Sequence, residues 1–426
     1  KAIGGLRRCT RSISKVPSLR KAGVAIRRAI DSFLEKHPSI ARDIVKALRC
    51  PTDDYPVTDE LILKAAEAIA SVVGAPTTDT VNNGEIQCEL RRDLIAAWRS
   101  FAQDPDTEPE QWLASGGPLG IRAQPKDCGI FPRYVNESPD LDPELLLTRG
   151  ADHHKHTPVR SGDPEADAEL KKLVDKVFLK KFATLEGVRN YLGEDPVVSN
   201  LVWIEKKGKR GRRMIVNLKR SGVSAASRKT ERVLLPRTLD SVWDMIELLL
   251  QRADSSKHID ALVIDFADAF WQIPLGELER KFAVFEHDGS YYVFQRAPQG
   301  SRGAPLLWAR TVALACRLAV ALCPEDEVRL NCYVDDPELL LLGLVEQNEK
   351  NAVAVLIAWM AMGFKLAFHK ASWTDEGGFS TWTSSRKSVS GDTVIAEVKT
   401  EITDKVREEI VGFLGKNVIA IDDLRA

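Results

Sequence analysis

Three stretches of the chain carry side chains whose types and spacing could do chemistry. The first is Val263-Ile264-Asp265-Phe266-Ala267-Asp268-Ala269-Phe270, where an apolar run ends in an aspartate. By itself it reads equally as a strand capped by Asp265, with Asp268 opening a short helix. The second is Pro298-Gln299-Gly300-Ser301-Arg302-Gly303-Ala304-Pro305. Its glycines permit a close-approaching backbone and Pro305 suits the first turn of a following helix, although a plain loop-to-helix junction has the same pattern. The third is Leu330-Asn331-Cys332-Tyr333-Val334-Asp335-Asp336-Pro337-Glu338-Leu339-Leu340-Leu341-Leu342, two apolar segments around an Asp-Asp pair. It reads as a β-hairpin with both carboxylates at its tip, and Pro337 is tolerable at the first position of the returning strand. Adjacent like charges repel, so stability alone gives no reason to place them there, whereas a divalent cation does. Two Mg²⁺ ions about 3.5–4 Å apart need shared carboxylates and stabilise both oxygens of an in-line phosphoryl displacement. Asp265, Asp335 and Asp336 would supply that set if the two strands lay in one sheet.

The elements that must position these groups are partly legible. Residues 24–49 and 58–73 read as amphipathic helices, interrupted by prolines at 51, 56 and 76. Residues 102–165, rich in Pro, Gly, Asp and Ser, read as a long irregular connection. The His153-His154-Lys155-His156 run within it is expected to be solvated linker, since a metal site needs converging ligands from elsewhere. Residues 166–182 are expected to form a Lys-rich amphipathic helix, 183–191 a shorter one, and 199–206 and 212–218 two strands around a Gly/Lys turn. A helix at 239–252 precedes a strand at 261–264, and a further helix follows Pro305. Residues 378–398 read as paired strands, and 402–416 as a helix with Val406, Ile410 and Phe413 on one side.

Composition narrows the class. The 426 residues carry 60 Lys+Arg and 61 Asp+Glu, for a net charge of -1, and 44% are hydrophobic, which excludes a disordered chain. No apolar run approaches the roughly 18–20 residues that span a bilayer, so no membrane partner is expected. The seven cysteines are scattered without a C-x-x-C pair, which favours an intracellular, reducing setting (cytoplasm or nucleus) over a disulfide framework. Starting at Lys1 with no initiator Met, the chain reads as a fragment of a longer polyprotein. The near-zero net charge conceals separate blocks. Residues 1–50 carry 13 basic and 3 acidic side chains and 201–240 carry 12 and 3, against 8 and 18 in 51–150 and 10 and 15 in 331–426. A basic groove beside a carboxylate centre is therefore compatible with the sequence. The basic start could bind RNA electrostatically or form an amphipathic interaction region.

In order and spacing, these stretches resemble the palm of a reverse transcriptase from a retroelement polyprotein. Asp265-Phe266-Ala267-Asp268-Ala269-Phe270 resembles the family's strand-end Asp followed by Asp-Ala-aromatic. Gln299-Gly300 with Gly303-Ala304-Pro305 resembles its template-and-nucleotide loop, and Tyr333-Val334-Asp335-Asp336 matches its Tyr-x-Asp-Asp hairpin. The resemblance implies an α+β right-hand polymerase fold. Its parts would be a mainly helical N-terminal region at 1–101, an irregular linker at 102–165, fingers at 166–260, palm at 261–390 and the start of a thumb at 391–426. It further implies that Asp265, Asp335 and Asp336 are catalytic and hold two Mg²⁺ ions (or Mn²⁺), with a ligand from the Phe266 backbone. The nucleotide site would comprise Asp268, Ala269, Phe270 as a gate against the ribose 2′-hydroxyl, Gln299, Gly300 and Lys370. Lys206, Lys207 and Arg213 would meet the triphosphate. Pro236, Gly303, Pro305 and Tyr333 would lie against template or primer. Asn217 and Lys219 stand where the family often has Asp and Arg, a departure confined to the fingers.

The implied partners are an RNA template, a DNA primer/template and dNTPs, with ribonuclease H and integrase parts of the polyprotein missing from this chain. Trp112 to Gly120 and Gly129-Ile130-Phe131-Pro132 resemble an upstream segment of unicellular-eukaryote retroelements. Two other readings compete: an RNA-dependent RNA polymerase, disfavoured by Phe270 and the Tyr-x-Asp-Asp form, and an inactive or domesticated nucleic-acid-binding descendant.

Overall fold

Proline sets the first departure from periodicity. The stretch expected as one helix over 24–49 is two, Pro17–Lys36 and Pro38–Arg49, because Pro38 lacks the N–H that would continue the first and fits the opening turn of the second. The computed structural model describes residues 17–76, 88–136, 140–150, 157–205 and 212–414. The His153–His156 run, Lys206 and Lys207 lie outside these residues, as do residues 1–16. Helices Asp59–Val73 and Arg92–Ala102 complete an N-terminal bundle. This bundle shares one apolar core with helices Ala304–Val320 and Val345–Ala361.

The described residues of 102–165 are largely irregular, and part of them is packed against the rest of the fold. They include a helix at Glu108–Ser115 and a 3₁₀ turn at Pro143–Arg149, and Asp104, Asp106, Trp112, Leu113, Leu119 and Phe131 are buried. Apolar packing accounts for Trp112, Leu113 and Leu119, which join the core clusters, and charge pairing for the two aspartates. Helix Ala304–Val320 buries Arg310 and Arg317, and buried cations require anions and hydrogen bonds. Asp104 accepts from the Arg317 guanidinium at 2.6 and 2.8 Å, while Arg310 meets Asp106 and, at 3.2 Å, Glu231.

Thirteen strands are present among the described residues. They are β1 (Thr157–Pro158), β2 (Leu179–Phe182), β3 (Val198–Glu205), β4 (Arg212–Val216), β5 (His258–Val263), β6 (Val284–His287), β7 (Ser290–Phe294), β8 (Val328–Tyr333), β9 (Asp336–Gly343), β10 (Ser372–Thr374), β11 (Ser380–Trp382), β12 (Ser385–Ser390) and β13 (Thr393–Val398). The single helix expected over 166–182 is instead a helix, Pro164–Asp175, followed by β2. Leu179 finds a buried place opposite Phe294 of β7, and that sheet pairing outweighs local helical periodicity. The first sheet runs β1-β3-β6-β7-β2, with β4 on β3. The second runs β10-β5-β9-β8, and a small third sheet is β11-β12-β13. Helix Thr238–Gln251 precedes β5 as expected. The final helix, Thr400–Leu414, buries none of its side chains.

Candidate active site

The second sheet decides where the carboxylates go. β5 runs antiparallel to β9 with Val263 opposite Glu338, so the end of β5 abuts the start of β9. Asp265 therefore lies one strand away from the turn carrying Asp335 and Asp336. The backbone locks this in place: Phe266 N–H donates to the Asp335 carbonyl at 2.8 Å and Ala367 N–H to the Asp265 carbonyl at 2.8 Å. Beneath them the Phe266 ring is buried among Trp308, Trp359 and Phe364, with centroids 5.0–5.8 Å away.

The Tyr333–Asp336 turn is strained. Val334 has φ 60°, a conformation that costs a β-branched residue free energy and persists only when its surroundings impose it. Trp308 supplies part of that constraint, its indole N–H donating to the Val334 carbonyl at 2.7 Å. From the other side, Trp382 donates to the Asp336 carbonyl at 3.0 Å. Deeper still, Glu338 and Lys387 are fully buried and paired at 2.6 Å, and the Ser241 hydroxyl bonds to both.

A cleft of about 1260 Å³ opens beside this turn. Its walls bring together Asp335, Asp268, Ala269, Phe270, Gln299, Gly300, Pro305 and Arg213 from the sequence-predicted set. Gly300 lines the cleft with φ 94°, a conformation that strains any L side chain, and at Gly303 a Cβ would lie 2.5 Å from the Leu119 carbonyl, so no larger residue fits there without displacement. Ser301 Oγ accepts from Ala304 N–H at 3.1 Å and Pro305 occupies the opening turn of the following helix, which aims the loop. Tyr333 is exposed opposite Asp336. Pro236 is buried away from the cleft lining, and Val233 to Leu235 before it line a separate apolar cavity of about 30 Å³ with Cys316 and Cys332.

Electrostatics mark the turn as a cation-seeking centre. Burial and the neighbouring Asp335 and Asp265 carboxylates push the Asp336 carboxyl up to about 6. Burial and then Asp265 raise Asp335 as well. One cation is already drawn in: Lys370 Nζ lies 2.5 Å from Asp265 Oδ2. Crowded carboxylates with raised affinity for positive charge fit a divalent metal chemically. They are nonetheless spread more widely than one cluster: among the described residues, three ligand atoms come within 4.8 Å of one another only at Asp167, His287 and Asp288. Asp268 is engaged by Lys176 Nζ at 2.5 Å. Lys176, Trp308 and the Ser241–Glu338–Lys387 set escaped sequence reasoning. Only Glu338 left a signal, as a lone charge heading the apolar run Leu339–Leu342.

The raised Asp336 value gives a signed prediction. Its folded value lies above the ordinary 3.8, so ionisation costs the folded chain stability as pH rises from about 4 through about 6. In chelator, Asp336→Asn should raise the thermal midpoint at pH 7.5, and the gain should vanish near pH 4. An equal gain at both pH values would remove the electrostatic account.

Among the described residues no helix is long and apolar enough to cross a membrane. No curated protein matches the chain. Solved structures of a foamy viral protease–reverse transcriptase resemble it at 14–15% identity. The form designated dRH, in complex with double-stranded DNA, has a TM-score of 0.41, covering 76% of this chain and 48% of that one. The RNA/DNA-hybrid complex has 0.39, covering 65% and 37%, and a second double-stranded DNA complex 0.38, covering 76% and 58%. The chain thus spans less than two thirds of each. The family described as reverse transcriptase (RNA-dependent DNA polymerase) matches residues 204–417, which is half of the chain and includes all three acidic and glycine-rich stretches. On that match, and with its α+β architecture, the protein belongs to the reverse transcriptase family and has its right-hand polymerase fold.

Proposed function

We propose that the chain catalyses template-directed addition of deoxynucleotides to a primer 3′-hydroxyl on RNA or DNA templates. The observation that carries this reading is the adjacency of Asp265 to the Asp335–Asp336 turn beside a cleft walled by Arg213, Phe270, Gln299 and Gly300. Asp265, Asp335 and Asp336, with the Phe266 backbone, would hold two Mg²⁺ ions, or Mn²⁺ in their place. When bound, these ions would neutralise charge developing on the α-phosphate and assist hydroxyl attack. The chain's own groups then position the reactants. Arg213 offers a fork to triphosphate oxygens, Gln299 and the Gly300 backbone meet nucleotide and template, and Lys370 lies on the pyrophosphate side. Tyr333, Gly303, Pro305 and Pro236 would border the template–primer duplex. In this reading 166–260 are fingers, 261–390 palm and 391–426 the start of a thumb, within a retrotransposon polyprotein of a unicellular eukaryote.

Primer extension on RNA and DNA templates, with dNTPs or rNTPs and Mg²⁺, tests this directly. Extension with dNTPs on RNA supports the proposal. Binding without extension would favour a domesticated descendant, and extension with rNTPs an RNA polymerase. Phe270 is half-buried in the cleft wall, 6.5 Å from Trp308 between ring centroids, where its ring would meet a 2′-hydroxyl. Phe270→Val should therefore raise ribonucleotide incorporation about tenfold or more relative to dNTPs. Unchanged discrimination would remove the gate role.

A further inference from the structure

The cluster of Asp167, His287 and Asp288 lies apart from the carboxylate turn, at the tip of the β6–β7 hairpin and the first turn of helix Pro164–Asp175. Its imidazole is the unusual member. His287 is only 6% exposed and its Nε2 makes no hydrogen bond among the described residues, although a buried polar atom without a partner costs free energy. Nε2 points at two carboxylates, standing 3.5 Å from Asp167 Oδ1 and 3.7 Å from Asp288 Oδ2. Those separations are too long for good hydrogen bonds. They are close to the roughly 3.3 Å between ligand atoms that share a tetrahedral ion at about 2.0 Å.

The rest of the site is built to present these groups. Asp288 at φ 49° and Gly289 at φ 69° form the two-residue hairpin turn, in the backbone conformation that Asp-Gly pairs favour. Asp288 Oδ2 accepts from Gly162 N–H at 2.8 Å, which orients the carboxylate as supporting contacts orient metal ligands elsewhere. Asp167 is half-exposed, and the ligand atoms of all three residues lie within 4.8 Å of one another.

We propose that Asp167, His287 and Asp288 form a site for a first-row divalent metal, with zinc the preferred ion and water completing its shell. One imidazole and two carboxylates match zinc chemistry better than Mg²⁺, which prefers oxygen ligands throughout. The ion would staple helix Pro164–Asp175 to the β6–β7 hairpin. That helix contributes Glu165, Ala168, Glu169 and Lys172 to the cleft wall, and Lys176 just beyond it pairs with Asp268. Zinc would thereby fix one side of the cleft while taking no part in the chemistry.

The test titrates Zn²⁺ into the full chain, stripped by chelator and then held in millimolar Mg²⁺ to occupy the carboxylate turn. The expected result is one zinc per chain and a raised thermal midpoint. Asp167→Asn and the double variant Asp167→Asn/Asp288→Asn, both at exposed or half-exposed positions, should weaken zinc binding at least about tenfold and lose the thermal shift while retaining the circular dichroism of the parent. Cobalt in place of zinc should show no thiolate charge-transfer band. No zinc-dependent shift in the parent chain, an undiminished shift in Asp167→Asn, or a thiolate band assigning the ion to cysteines would each overturn the proposal.

Discussion

Asp335→Asn is expected to reduce primer extension by at least about 10³-fold while leaving the fold intact. The substitution keeps the size and planarity of the side chain and removes only its charge. Asp335 faces the cleft, its carbonyl holds Phe266 N–H, and its carboxyl is already crowded by Asp265. The backbone contact survives the change, so the loss would report on charge at that point. Because Asp335 is itself a cause of the raised Asp336 value, the metal-free variant should be at least as stable as the parent at neutral pH. Parallel measurements of extension rate and thermal midpoint separate the two effects. Full activity in Asp335→Asn would sink the assignment of the carboxylate turn, and lost activity with a collapsed midpoint would make the residue structural.

Lys387→Met should destabilise the fold far more than Asp335→Asn or Asp336→Asn at the carboxylate turn. Lys387 and Glu338 are fully buried, 2.6 Å apart, and joined through Ser241, with the Trp382 ring centroid 5.1 Å below the ammonium. Removing one partner leaves an uncompensated buried carboxylate, a change that costs about 3–5 kcal/mol. Replacing both, as in Lys387→Met/Glu338→Leu, should restore most of the loss, because apolar side chains of similar volume avoid desolvating two charges. The exposed pair Lys64–Glu60 is the control, and Lys64→Ala should leave the midpoint essentially unchanged. Thermal or denaturant unfolding of the three variants checks the ordering. A single variant no worse than the control would show the pair to be energetically idle. Glu338 sits two residues beyond Asp336 on β9, so the single variant, which leaves Glu338 uncompensated, should slow primer extension even below its unfolding temperature.

Much of the half that matches the reverse transcriptase family was legible because its signals are local. An apolar run ending at Asp265, a proline opening helix Ala304–Val320 and apolar arms around Asp335–Asp336 each describe a strand or helix end within a dozen residues. The amphipathic periods of Asp59–Val73 and Thr238–Gln251 were legible for the same reason. The residues that escaped act across distance. Lys176 reaches Asp268 over 92 positions and Lys387 reaches Glu338 over 49, and nothing in either neighbourhood names the partner. The burial of Asp104 and Asp106 was not legible either, because their partners Arg317 and Arg310 lie about 200 residues away.

The sequence by itself determined the kinds of groups that could do the chemistry, their order and the elements that end beside them, since backbone sterics and apolar patterning are encoded within a few neighbouring residues. The tertiary structure alone decided that β5 lies against β9 with Val263 opposite Glu338, and so that Asp265 meets Asp335 and Asp336. It also decided that the cleft is walled by Phe270, Gln299 and Arg213, and that His287 turns a nitrogen without a hydrogen bond among the described residues toward two carboxylates from separate elements. Those facts depend on strand register and on charge pairs between distant segments. Their free energies exist only once the chain has brought the partners together.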